Sequence, residues 1–160
     1  MPGVILTYSG VPTVQQRLQA ALVYAGEGAM LTGVCALVLV GVHNVPEAYD
    51  LHVLVPHERR RLSTDAVIVE RSRRLPLPRL VAGLPCSPVG RACIDAARRM
   101  RGRGPVRAVI AEVVQRGLAP VRQLAIEIRD AQIRGTALPR SVIREVSGED
   151  YHEPNIAGVP

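Results

Sequence analysis

Apolar and polar positions change rhythm several times along this 160-residue chain. Gly3 to Tyr8 is a short apolar run of the kind that forms a strand. Gly10-Val11-Pro12-Thr13 then reads as a turn and a helix cap. Thr13 followed by Gln16 is a capping box, in which each side chain accepts from a backbone N–H of the first turn. Leu18, Leu22 and Ala25 recur at helical spacing, and the helix ends near Gly26. The apolar, uncharged stretch from Ala29 to Leu39 predicts a second, buried helix.

The period then shortens. Leu51, Val53 and Val55 alternate with His52 and Leu54, which predicts a half-buried strand ended by Pro56. Ala66 to Glu70 predicts a second strand, and the Arg-rich segment between the two predicts a hairpin. A third short strand is expected at Leu80 to Leu84, interrupted by Gly83 and Pro85. Helical spacing returns in four segments: 88–100, 105–116, 120–131 and 136–146. In the third of these, Val121, Leu124, Ala125 and Ile128 share one face. Residues 148–160 are polar, contain two Pro and predict a flexible tail. The expected fold is α+β: a small, mainly antiparallel sheet of about three strands packed against five to six helices, in one domain over residues 1–147.

Composition narrows what the core and the surface can do. The chain is 48% hydrophobic but has no Phe and no Trp, so Val, Leu, Ile and Ala must build the core. A chain of this length buries a core without disulfides or metals. Four Tyr (Tyr8, Tyr24, Tyr49, Tyr151) leave little aromatic surface for stacking nucleic-acid bases. Cys35, Cys86 and Cys93 are odd in number and lack flanking ligands at metal spacing, so buried reduced thiols are expected rather than disulfides or zinc. The uncharged run from Gly28 to Val42 is fifteen residues, short of the ~20 that span a bilayer. With no basic N-terminal segment ahead of it, neither export nor a membrane helix is expected, and the location expected is cytoplasmic.

Every basic side chain apart from the four His is Arg, and the net charge of +6 is uneven. Residues 1–57 hold Arg17 alone. Residues 58–79 hold seven Arg against three acids, and residues 91–107 hold six against Asp95. A guanidinium grips phosphate or carboxylate in a two-pronged fork, so a basic middle suits nucleic acid or an acidic protein face. A merely solvated Arg-rich face reads equally well from the sequence. The candidate phosphate contacts are Arg59, Arg60, Arg61, Arg71, Arg73, Arg74, Arg98, Arg99, Arg101 and Arg103.

Catalytic patterns are absent from the spacing. His43 lies in a turn, His52 and His57 fall on opposite faces of an extended segment, and His152 lies in the tail. Asp50, Asp65, Glu70 and Asp95 are too scattered to predict a metal site. No enzyme activity and no cofactor are expected. Residues 112–129 read as helix, Gly turn, helix; Arg122, Gln123 and Arg129 could line a recognition helix, but a plain helical hairpin reads better. Ser87-Pro88 reads as a helix start, with Ser87 as cap and Pro88 in the first turn. Arg91 and Asp95, one turn apart, would pair on that helix, and these four residues are assigned a structural role.

The order of the pieces resembles the AbiEi-type antitoxins of type IV toxin–antitoxin systems and their actinobacterial transcription-regulator relatives. Gly10-Val11-Pro12-Thr13 resembles the family's helix entry. Leu51 to Pro56 is similar to its strand ending in Val-Pro, and Val67 to Arg74 to its strand ending in Arg-Ser. Gly83-Leu84-Pro85-Cys86-Ser87-Pro88-Val89-Gly90-Arg91 through Asp95 resembles its Ser-Pro-x-x-Arg block. Gln115 to Leu118 and Arg134 to Ser147 resemble later segments. The match runs over most of residues 7–147; it includes neither the family's winged helix-turn-helix nor the Vsr-like nuclease domain some members carry. The segment Leu31 to Ala36 lacks the Ser-His-Arg frequent among relatives. The resemblance implies a non-enzymatic antitoxin-like or regulator-like module, with DNA and a nucleotidyltransferase-type toxin as its partners. The alternative it leaves is an interaction or structural piece of a nuclease-linked protein that binds no DNA itself.

Overall fold

The computed structural model describes residue 3, residues 10–131 and residues 134–148. The strand expected at Gly3 to Tyr8 falls outside them but for residue 3, and the expected tail does so beyond residue 148. Among the described residues, six helices surround a sheet of five strands, so the α+β class holds with more strands than expected.

Helix α1 (Val14–Ala25) begins as its capping box requires: Gln16 N–H donates to Thr13 Oγ1 at 3.2 Å, and Thr13 N–H to Gln16 Oε1 at 2.9 Å. The apolar run after it does not form one helix. Met30–Leu31 is strand β1, and only Gly33–Leu39 is helical (α2). An unbroken apolar run hides this division, because both parts are buried and neither carries a polar position to set a period. A Cβ at position 33 would lie 2.8 Å from His52 Nδ1, so Gly33 is what lets the β1–α2 joint sit against that ring.

Strand β2 (Leu51–Pro56) has no solvent face: Leu51 to Val55 are all buried. Strand β3 (Val67–Ser72) pairs with it in parallel, from Leu51↔Val67 to Pro56↔Ser72, and not as a hairpin. Residues 57–66 leave β2 through a tight turn, Arg59 N–H donating to Pro56 C=O at 3.0 Å, and then return as a strap. Tyr24 of α1 donates its hydroxyl to Leu62 C=O at 2.9 Å, and the Arg61 guanidinium lies 5.5 Å from the Tyr24 ring centre. Ser63 and Thr64 then bond to the start of β3, Thr64 N–H donating to Val67 C=O at 2.8 Å.

The third expected strand is two. β4 (Arg79–Val81) and β5 (Leu84–Cys86) form a tight hairpin about Ala82-Gly83, with φ of +49° and +76° as a two-residue primed turn requires. The sheet order is β3-β2-β1-β5-β4. Two neighbour pairs are parallel and two antiparallel, so the sheet is mixed rather than mainly antiparallel.

Helix α3 (Val89–Ala97) is buried along nearly its whole length and packs against α2, α4 (Arg103–Gln115) and α5 (Val121–Asp130). α6 (Ala137–Ser147) closes over α4 and α5. Ile94, Val106, Ile110 and Leu124 are fully buried in this aliphatic core, each worth about 1.5–3 kcal/mol of burial. Among the described residues, no helix is long and apolar enough to cross a membrane.

Candidate nucleic-acid interface

A polar network joins the sheet to α3. Its centre is Asp95, whose side chain is fully buried. Asp95 Oδ2 accepts from Thr32 Oγ1 at 2.7 Å and from Arg91 Nε at 2.8 Å, and Oδ1 accepts from Arg98 Nη1 at 3.3 Å. Ser87 Oγ donates to Thr32 Oγ1 at 2.9 Å. Ser87 therefore ties β5 to β1, and it does not cap α3; Pro88 occupies the cap position, with no side-chain cap bond. The Arg91–Asp95 pair forms as its spacing predicts, but beneath the surface and not on a solvated face.

Glu70 of β3 sits beside this network. In the parallel register, residues 52 and 70 lie on the same sheet face. His52 Nε2 is 3.2 Å from Glu70 Oε2, and Arg98 Nη1 is 3.1 Å from Glu70 Oε1. Arg91 and Arg99 stand farther off, at 3.7 and 3.9 Å. Burial raises the Glu70 pKa, but the His52 imidazole and the Arg98 guanidinium outweigh it and hold the carboxyl at about 2.

A pH dependence follows. The unfolded chain binds a proton at Glu70 near 4.5 and the folded chain only near 2, so this pair's stability is whole above about 4.5. It is lost as pH falls from there towards 2. Urea midpoints from pH 6 to 2.5 should fall in that window, and Glu70→Gln should flatten the fall in part. Glu112 contributes to the remainder, held at about 2 against its own desolvation by the N–H groups of Asn44 and His43 and by Arg116, and so does Glu145, which the Arg107 and Arg103 guanidiniums hold below the usual carboxylate range.

Above Glu70 opens a cleft of about 750 Å³, lined by His57, Val69, Glu70, Arg71, Arg98, Arg99, Arg134 and Gly135. Four arginines and one carboxylate contribute to this lining. A smaller compartment of about 270 Å³ shares His57, Glu70 and Arg71 and adds Arg73, Arg74, Arg91 and Asp130. The Arg134-Gly135 turn forms one wall. Arg98 Nε donates to Arg134 C=O at 3.3 Å, and a Cβ on Gly135 would come within 2.6 Å of Arg98 C=O.

The ten arginines singled out in the sequence therefore divide. Arg71, Arg98 and Arg99 meet in the main compartment, with Arg73 and Arg74 in its extension. Arg74 is tied to Glu127 and Asp130, at 2.7 Å each. Arg101 lines a separate hollow beside Tyr49, Asp50 and His52, into which Arg99 also reaches. Arg103 is engaged with Ser141 and Glu145 of α6. Arg59 pairs with Glu27 at 3.2 Å, Arg61 lies over Tyr24, and Arg60 is exposed on the same strap. Arg134 and His57 join the site without having been singled out: each stands alone in its stretch, and only the tertiary fold brings it to the Arg-rich strand. Burial pushes the thiols of Cys86 to about 11 and Cys93 to about 12 and raises that of Cys35, so all three stay protonated.

Of the three residues named for a recognition helix, Arg122 and Arg129 are exposed and Gln123 is turned inward. α5 packs on α3 and α6, and Gln123 lies over Gly90, with its side chain 3.1 Å from where a Cβ there would be. No family model, curated protein or solved structure matches the chain.

Proposed function

We propose that this protein is a non-enzymatic, antitoxin-like or regulator-like module that grips nucleic-acid phosphates through its arginine cleft. The convergence of Arg71, Arg98, Arg99 and Arg134 on one concave surface carries the reading. Guanidiniums clustered beyond what the local carboxylates neutralise attract a polyanion. The acids nearby favour binding over chemistry, because Glu70 and Asp95 are committed to guanidiniums and to His52. A toxin partner of the nucleotidyltransferase type enters only through the sequence resemblance.

A mobility shift on duplex DNA, titrated with salt, tests the reading. Each phosphate neutralised contributes about −0.9 to the log–log salt slope, so four guanidiniums should cost about a hundredfold in affinity between roughly 50 and 200 mM salt. Arg71→Gln should shallow that slope. Absence of binding at about 50 mM salt, where phosphate contacts are strong, overturns the DNA reading.

A further inference from the structure

We infer that the main compartment of the cleft is a seat for a phosphate monoester, the terminal phosphate of a nucleotide or of a nucleic-acid end, in preference to the internal diesters of a backbone. The inference rests on the phosphate-binding reading above and sharpens it. A diester carries one negative charge and continues in both directions, so a backbone is served by a row of separate cations. Here four arginines from three parts of the chain line one compartment. Arg71 approaches from β3, Arg98 and Arg99 from the end of α3, and Arg134 from the turn before α6. A monoester offers close to two negative charges and three acceptor oxygens, enough for several forks at once.

The guanidiniums differ in how free they are. Arg98 is fixed on Glu70 and Asp95 at the floor. Arg99 reaches Glu70 only at 3.9 Å and is about half exposed. Arg71 and Arg134 are exposed, and no ion pair among the described residues holds either side chain. One anchored and three more exposed arginines can take an anion without breaking the buried network. At about 750 Å³ the compartment also exceeds what a bare phosphate fills and lies in the size range of small-molecule sites. Among the described residues the one ring in its lining is the His57 imidazole, which favours a hold on the phosphate over base stacking.

Fluorescence anisotropy on the full chain tests this with one single-stranded oligonucleotide made in two forms, 5′-phosphorylated and 5′-hydroxyl. The phosphorylated form should bind at least tenfold more tightly. Arg71→Gln and Arg134→Gln should each erase the preference, while Arg122→Gln, an equal charge loss outside the cleft, should keep it. Circular dichroism should show all three variants folded. A nucleoside 5′-monophosphate competes for the site if the seat takes free nucleotides. Competition by a 5′-phosphorylated oligonucleotide alone assigns it to nucleic-acid ends. Equal affinity for the two forms, with salt-dependent duplex binding intact, overturns this inference and leaves the proposed function standing. The preference without any duplex binding overturns the proposed function and leaves the seat. Binding by neither overturns both.

Discussion

Asp95→Ala should destabilise the protein by about 3–5 kcal/mol, the range for breaking a buried ion pair from one side. Asp95 is 1% exposed and holds Arg91, Arg98 and Thr32 together. Its removal leaves two guanidiniums, each 11% exposed, facing each other with Glu70 alone between them. It also strands the Thr32 hydroxyl proton below the surface, a further desolvation cost. Native domains have roughly 5–15 kcal/mol in hand, so the variant should lie near the edge of folding. Urea denaturation followed by circular dichroism measures it through the shift in midpoint at constant slope. Asp95→Asn, which keeps the shape and an acceptor but loses the charge, should fall between wild type and alanine. If Asp95→Ala matched the wild-type midpoint, the network would not be what joins sheet to helices.

Gly135→Ala should cost about 1–3 kcal/mol and weaken phosphate binding as well. The residue has φ of +77°, where an L side chain is strained, and its new Cβ would sit 2.6 Å from Arg98 C=O. That neighbour is backbone at the end of a buried helix, so the Arg134-Gly135 turn must move instead. Moving it lengthens the Arg98 Nε to Arg134 C=O bond and carries the Arg134 guanidinium away from the cleft. The pairing of effects is the diagnostic result. Gly117→Ala, strained at φ +66° but with open space for a Cβ, should lower stability without touching binding.

The sequence speaks for the helices more fully than for the sheet. Thr13 and Gln16 state where α1 begins, and Gly and Pro mark the ends of α3 to α6 within a few residues. Those signals are local chemistry. The sheet depends on what a strand meets. Met30 and Leu31 become a strand because Leu54 and Val53 lie on one side and Cys86 on the other, which no neighbouring residue announces. β2 and β3 pair in parallel, with residues 57–66 carrying the chain back as a strap held by Tyr24, an arrangement the Arg-rich pattern of a surface loop does not announce. At the site, Arg71, Arg98 and Arg99 are legible as charge runs. Ser87 reads as a cap from its Pro neighbour, yet its hydroxyl finds Thr32 across the sheet. Glu70 reads as a scattered acid, although a carboxylate inside a strand within an Arg-rich stretch is a hint of an internal partner.

The place of β1 in the sheet governs how the chain can be made. Among the described residues it is the third of five strands in space and the first in sequence, and it lies between neighbours drawn from residues 51–56 and 84–86. During vectorial synthesis, at about 5–20 residues per second, the emerging chain therefore cannot complete its sheet when β1 and β2 leave the ribosome. It must wait for β5. Until then β1 has one flank without backbone partners, whereas β2 gains its second neighbour when β3 follows. The Thr32 hydroxyl has no carboxylate until Asp95 follows. The N-terminal third of this protein is thus an obligate passenger of the middle third, and the two are expected to be gained or lost in a single cooperative step.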